Sequence, residues 1–271
     1  MNKVKIIFCL FLLLISGIYI TDKIKKLDIT NMLLKDDKNI LIETTLKDKL
    51  SSNKEEKKEI KNETNKEKKV EKNPTIYFFN THQTEEYKST NYNITPTVVT
   101  VSQMLEENLK EKGKSSVVET QSIKKGLDKN GYNYNMSYEI SFGYLKEKVK
   151  KYKTLKYFFD IHRDSIKGEG ARETINGKKY ARIMFLIGEN HENYKSNLKN
   201  AKIMEKYLTK NYPGILRDTY HQPRWSYNQE YSKNMFLIEV GGPDNTLEEL
   251  YNTSKALSEA INYYIGGTYE K

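Results

Sequence analysis

From Thr75 onward the chain alternates short apolar runs with longer stretches whose apolar residues recur at helical spacing. The short runs read as buried strands and the longer ones as amphipathic helices. "TIYFFNT" is the first strand, and "TPTVVTVSQMLEENLKEKG" follows as a helix stopped at Gly113. "SSVVETQ" is a second strand, "SYEISFGYLKEKVKKY" a helix, and "TLKYFFDIH" a third strand. "RETINGKKYARIMFLIGEN" holds an Asn-Gly pair between apolar-rich arms, which predicts a hairpin. "ENYKSNLKNAKIMEKYLTKNYPG" is a helix ended by Pro213 and Gly214. "NMFLIEVGG" is the last strand and "TLEELYNTSKALSEAINYYIGG" the last helix. Such alternation predicts an α/β fold: an open, mainly parallel sheet flanked by helices, with an inserted hairpin. No internal repeat is evident.

Residues 1–73 break this pattern. Ile6 to Ile20 is an uncharged, mostly apolar run behind Lys3 and Lys5. It fits a short transmembrane anchor or the core of a signal peptide. No A-x-A cleavage site follows it, and Cys9 lies within the run, so an uncleaved anchor over residues 1–22 is the expectation. Lysines flank the run on both sides and leave its orientation open. Residues 27–45 carry enough aliphatics for a weak juxtamembrane helix. Ser51 to Pro74 is a mixture of Lys and Glu that cannot bury a core. Residues 23–73 therefore read as a juxtamembrane segment and charged linker, and residues 74–271 as the folded domain.

Composition sharpens this picture in two ways. Only 37% of the 271 residues are hydrophobic and 30% are charged, which fits a chain with an unpacked segment. The net charge of +10 favours an anionic partner: nucleic acid, anionic lipid or a wall polymer. No zinc finger, RNA-binding aromatic signature or Arg cluster is present, and Lys far outnumbers Arg, so nucleic acid is not the expected partner. A single cysteine excludes an intrachain disulfide and a thiolate cluster. Any metal must be held by carboxylates and by some of His82, His162, His191 and His221.

Three of the apolar strands end in ionisable groups. "IYFFNTH" ends at His82, "YFFDIH" at His162, and "MFLIE" delivers Glu239. Parallel strands would open all three at one edge of the sheet, where ligands bind in such folds. Two histidines with carboxylates make the minimum set for a catalytic zinc, and a further carboxylate would serve as general base. A third ligand from near His82 requires the chain to turn there, and spacing alone allows either Glu85 or Glu86. "HRDS" places His162, Asp164 and Ser165 too close together for a hydrolytic triad; Asp164 or Arg163 fits better as a partner of the ligands. His191 reads as a surface residue. His221 lies in the polar-aromatic loop "YHQPRWSYNQ", which could cover the site and bring it to substrate.

These blocks resemble the stage II sporulation protein P family, membrane-anchored cell-wall hydrolases of endospore-forming bacteria. The family patterns "HTHTTESY", "DIHRDS", "RIMFVIG", "RYNQD" and "LIEVGG-NTLEEA" stand here as "NTHQTEEY", "DIHRDS", "ARIMFLIG", "SYNQE" and "LIEVGGPDNTLEEL". They run in order over nearly all of Thr75 to Gly267, and the anchor and linker also fit the family layout. The resemblance implies an amidase-like α/β fold and a zinc-dependent N-acetylmuramoyl-L-alanine amidase with endopeptidase activity, acting on peptidoglycan during engulfment of the forespore. It implies zinc ligands His82, Glu85 and His162, a catalytic base Glu239, and substrate contacts at Asn80, Arg163 and Asn228. It further implies a lytic transglycosylase partner, stage II sporulation protein D, and a single-pass membrane protein with its catalytic domain on the extracytoplasmic side. Asn80 stands where the family pattern has its first histidine and, two residues before His82, is expected on the same face. Two other readings use the same residues: a zinc-dependent deacetylase of wall sugars, and a non-catalytic wall-binding module that recruits partners.

Overall fold

Ile76, Tyr77, Phe78 and Phe79 are all buried, so this strand is apolar on both faces rather than alternating. That is the mark of a central strand covered on both sides. The computed structural model describes residues 73–267. Within them the strands are β1 (Ile76–Phe79), β2 (Ser116–Val118), β3 (Tyr157–His162), β4 (Arg172–Ile175), β5 (Lys178–Ala181), β6 (Ile183–Gly188), β7 (Tyr220–Gln222) and β8 (Met235–Val240). The helices are α1 (Val98–Glu111), α2 (Ile123–Asn130), α3 (Ser137–Lys151), α4 (Tyr194–Asn211) and α5 (Leu247–Gly266).

Six strands form one sheet in the order β2-β1-β3-β8-β6-β7. β2, β1, β3 and β8 are parallel; β6 runs against β8, and β7 is parallel to β6. The α/β architecture and mainly parallel sheet are thus as the pattern predicts. On one face Phe78, Phe159 and Phe236 stack side by side, and Tyr264 of α5 meets the edge of that row. On the other, Tyr77, Phe79, Phe158 and Met235 pack with Leu145 and Phe142 of α3.

The Asn-Gly hairpin is present as β4 and β5, an antiparallel pair outside the main sheet. Asn176 (φ 51°) and Gly177 (φ 76°) both take left-handed backbone, as a two-residue primed turn requires. Two elements carry too little pattern to be predicted. α2 buries only Ile123, Gly126 and Leu127. β7 is a three-residue polar edge strand inside the stretch expected to be loop, and it contains His221. Among the described residues no helix is long and apolar enough to cross a membrane. The anchor expected at residues 1–22 and the linker up to residue 72 lie outside the described residues.

Candidate active site

Successive residues of a strand point to opposite faces. Asp160 and His162 therefore share the α3 face with Phe158, and Leu237 and Glu239 share it with Met235. His162 and Glu239 are register partners across the β3–β8 pair, so an imidazole and a carboxylate stand side by side at the carboxyl edge. β1 stops at Phe79, and the chain turns at once: Glu85 N–H donates to His82 O at 3.0 Å. The turn sets the His82 ring edge-on to the His162 ring, with centroids 5.2 Å apart. Glu85 is half-buried and faces inward, with Oε2 at 3.8 Å from His162 Nδ1. Glu86 is exposed. The structure thus brings His82, Glu85, His162 and Glu239 together.

The backbone N–H of Arg163 donates to Glu85 Oε2 at 2.8 Å and fixes that carboxylate. The Arg163 side chain turns back to Asp164 O. Tyr87 donates its hydroxyl proton to Val240 O at 2.8 Å, tying the turn after His82 to the strand that carries Glu239. Glycine is required at 242, where a Cβ would overlap Ile166 O of the β3–β4 loop.

Asp160 is the functional residue the sequence reading passed over. It is 1% exposed, and its Oδ1 lies 3.0 Å from His162 Nε2. Thr81 donates to it twice, from N–H at 2.9 Å and from the hydroxyl at 2.6 Å. Its signal was present: a carboxylate two residues before His162 in an apolar strand must share the histidine's face.

Of the expected substrate contacts, Asn80 turns away from the site and Asn228 is buried beside it. Asn80 belongs to the opposite face, because the strand ends before His82 and the two residues do not alternate together. Its amide donates to Ile161 O at 2.7 Å and accepts from Ser102 of α1 at 3.1 Å. Asn228 is buried, in left-handed backbone (φ 61°), and donates to Tyr138 O and Ser141 Oγ. Both act as braces in this arrangement. His191 is half-buried rather than on the surface. His221 pairs with Glu189 at 2.7 Å on β7, and β6 and β7 end at the edge opposite Glu239.

Aromatic rings wall the site. Tyr134 stacks on His82 (4.8 Å), Tyr138 stacks on His162 (6.3 Å), and Tyr227 meets Tyr138 edge-on (5.5 Å). Desolvation lowers His82 to about 4, helped by neighbouring His162. Desolvation also lowers His162, but Asp160, Glu239 and Glu85 outweigh it and raise the ring to about 9. Burial raises Glu239 to about 7, against the pull of His162. A carboxylate divided between its two forms near neutral pH can take a proton and return it.

The buried atoms His82 Nδ1 and Glu239 Oε2 have no hydrogen-bond partner among the described residues. His162 turns Nε2 to Asp160 and keeps Nδ1 toward Glu85 Oε2, on the side of the site. Two imidazoles and a carboxylate suit a borderline divalent cation. As placed, no three His, Cys, Asp or Glu side chains among the described residues are gathered tightly enough to hold an ion. Chemically the donor set is of the kind that binds a divalent metal.

The sequence profile of Stage II sporulation protein P (SpoIIP) matches residues 18–262. The chain belongs to that family. The Stage II sporulation protein P of Bacillus subtilis (strain 168) is 31% identical over 204 residues, which is 69% of this chain and 50% of the relative. The chain therefore matches about half the length of that curated relative. The solved structure of the N-acetylmuramoyl-L-alanine amidase AmiC2 of Nostoc punctiforme overlaps 70% of this chain and 97% of its own, at 13% identity and TM-score 0.43. That of the CwlD amidase from Clostridioides difficile, in complex with the GerS lipoprotein, overlaps 71% and 96%, at 14% identity and TM-score 0.45. Neither overlap is close enough to carry a conclusion about fold or chemistry. For the SpoIIP family, the match extends from the described domain into the residues before it.

Proposed function

We propose that this SpoIIP-family chain is a zinc-dependent hydrolase of bacterial peptidoglycan that cuts the amide between the lactyl group of N-acetylmuramic acid and L-alanine. The observation that carries the reading is the pairing of His162 with the buried Glu239 across β3–β8, with His82 and Glu85 turned toward them. His82, Glu85 and His162 would hold the ion. When bound, zinc would supply a Lewis acid that polarises the scissile carbonyl and acidifies the attacking water.

The rest is work for the chain's own groups. Glu239 takes a proton from water as its oxygen adds to the carbonyl carbon, then gives it to the leaving nitrogen as the C–N bond breaks. The products are a lactyl carboxylate and a peptide with a free amine. Asp160 holds the His162 ring from behind, as carboxylates behind metal-bound histidines do. Arg163 N–H holds Glu85. Tyr134, Tyr138 and Tyr227 limit water and offer flat faces to the substrate. The setting that goes with this reading is engulfment of the forespore: a single-pass anchor, an extracytoplasmic catalytic domain, endopeptidase activity, and stage II sporulation protein D as the glycan-cutting partner.

The test is digestion of purified sacculi by the full chain, read by mass spectrometry. Expected products are stem peptides with a new L-alanine amine, absent with chelator and restored by zinc. Glu239→Gln should bind zinc and release nothing. Release of acetate instead would replace the amidase with the deacetylase reading, and a zinc-loaded chain that releases nothing would leave only the wall-binding module.

A further inference from the structure

Beside the catalytic edge, α2 and α3 line a groove of about 470 Å³. That volume is in the range of ligand-binding clefts. Lys125 and Lys129 of α2 line one wall, and Glu139, Gly143 and Glu147 of α3 the other. Glu139, Gly143 and Glu147 are four residues apart and share one stripe of the helix. All four charged residues are exposed, and none makes an ion pair among the described residues. Among the described residues Glu147 accepts only from the neutral Gln121 amide at 3.2 Å, so opposite charges line the gap without pairing.

The two glycines at this crossing differ in a telling way. A Cβ at Gly126 would strike Ile140 Cγ2 and Tyr144 Oη, each at 2.5 Å, so packing demands glycine there. A Cβ at Gly143 would meet nothing within 4 Å. Its backbone is ordinary α-helix, where glycine is worse than alanine. Packing gives Gly143 no purpose; an open groove floor does.

The groove shares a wall with the site. Gln83 follows His82, donates to Gln121 O, and accepts from Ile123 N–H, both at 2.8 Å, and so anchors the start of α2. Tyr132 lines the groove, and Tyr134, two residues on, stacks on His82. A substrate lying over His82 reaches the groove by passing these two rings.

We infer that this groove is the subsite for the peptide arm of the substrate. Its ligand is an extended peptide carrying both a free ammonium and a free carboxylate, such as a stem peptide with an uncross-linked diamino acid. The carboxylate would meet Lys125 and Lys129, and the ammonium Glu139 and Glu147. The inference rests on the peptidoglycan reading above and assigns the recognition element for it.

The experiment compares two soluble substrates, a muramoyl tetrapeptide with such a diamino residue and muramoyl-L-alanine, using the zinc-loaded full chain. Gly143→Trp fills the groove from a position with open space. It should lower the ratio of kcat/KM, long over short, by roughly tenfold or more, through KM. Lys125→Glu with Lys129→Glu should lower it likewise. An unchanged ratio in both variants overturns the proposal. If the wild type cuts neither substrate, the amidase reading fails, and binding decides the subsite by itself. Calorimetric titration with the free tetrapeptide should then show binding that Gly143→Trp abolishes. No binding to the wild type, or equal binding to the variant, overturns the inference.

Discussion

At the scale of single residues, Asp160 and Asn80 show how one turn decides what each side chain can do. Asp160 shares a strand face with His162, so its carboxylate is committed to holding that ring. Asp160→Ala removes the contact behind His162 and leaves the Thr81 N–H without its acceptor, while the Thr81 hydroxyl keeps Ser141 Oγ at 2.9 Å. Carboxylates behind metal-binding histidines typically matter by about 10–100-fold in metal affinity. Zinc affinity of the full chain, measured by competition with a chromophoric chelator, should fall by that order, with a smaller loss for Asp160→Glu. Equal affinity in wild type and Asp160→Ala would remove Asp160 from the site. The sequence made Asp160 legible through period-two alternation, while the richer-looking "HRDS" drew attention to Asp164. Asn80 was misplaced for the complementary reason. Alternation was carried past Phe79 to His82, but the strand stops at Phe79, and residue spacing does not say where a strand stops. Glu85 and Glu86 were equivalent by spacing alone; the structure separates them by burying one.

At the scale of elements, the β–α alternation announced nearly every strand and helix because each has a covered face. It was silent on direction. A hydrophobic pattern reads the same in a parallel as in an antiparallel neighbour, so the reversal at β6 and β7 was not legible. Nor were α2 and β7, which bury too few residues to show a period. α5 was marked clearly by its start. Thr246 Oγ1 accepts from Glu249 N–H at 3.3 Å, and the Glu249 carboxylate accepts from Thr246 N–H at 2.9 Å, a reciprocal cap. Glu249 also accepts from Arg172 at 3.0 Å and from Asn245 at 2.9 Å. Burial pushes its pKa up, but these donors outweigh burial and hold it below the ordinary glutamate value. The unfolded chain therefore binds the proton more readily. The stabilisation is complete above the usual glutamate pKa and is lost as pH falls through the lower folded value. Glu249→Gln should be clearly less stable than wild type near neutral pH, and the gap should close in acid. Denaturant unfolding of the full chain across that range checks it. A gap that stays constant with pH would deny the carboxylate its role.

At the scale of the whole molecule, the question is how the excess of positive charge serves a chain whose chemistry sits in one small edge. The net charge is +10, and it is carried mostly by lysine. Lysine is a hydrated point charge that binds diffusely, unlike the bidentate arginine fork. Such charge attracts an anionic polymer over distance without fixing a pose, which would suit retention on the wall substrate proposed above. Attraction of this kind is screened over about 10 Å at 0.1 M salt and about 3 Å at 1 M. Chemistry at the site is shielded from that effect, because Asp160 and His162 are buried and Glu239 is largely withdrawn from solvent beside them. The two contributions should separate in one titration. Retention of the full chain on purified sacculi should fall steeply as salt rises through this range. Turnover of a small soluble muramoyl substrate should change far less. If both fell together, charge would be acting at the catalytic edge itself. If neither fell, the basic surface would have no part in holding the wall.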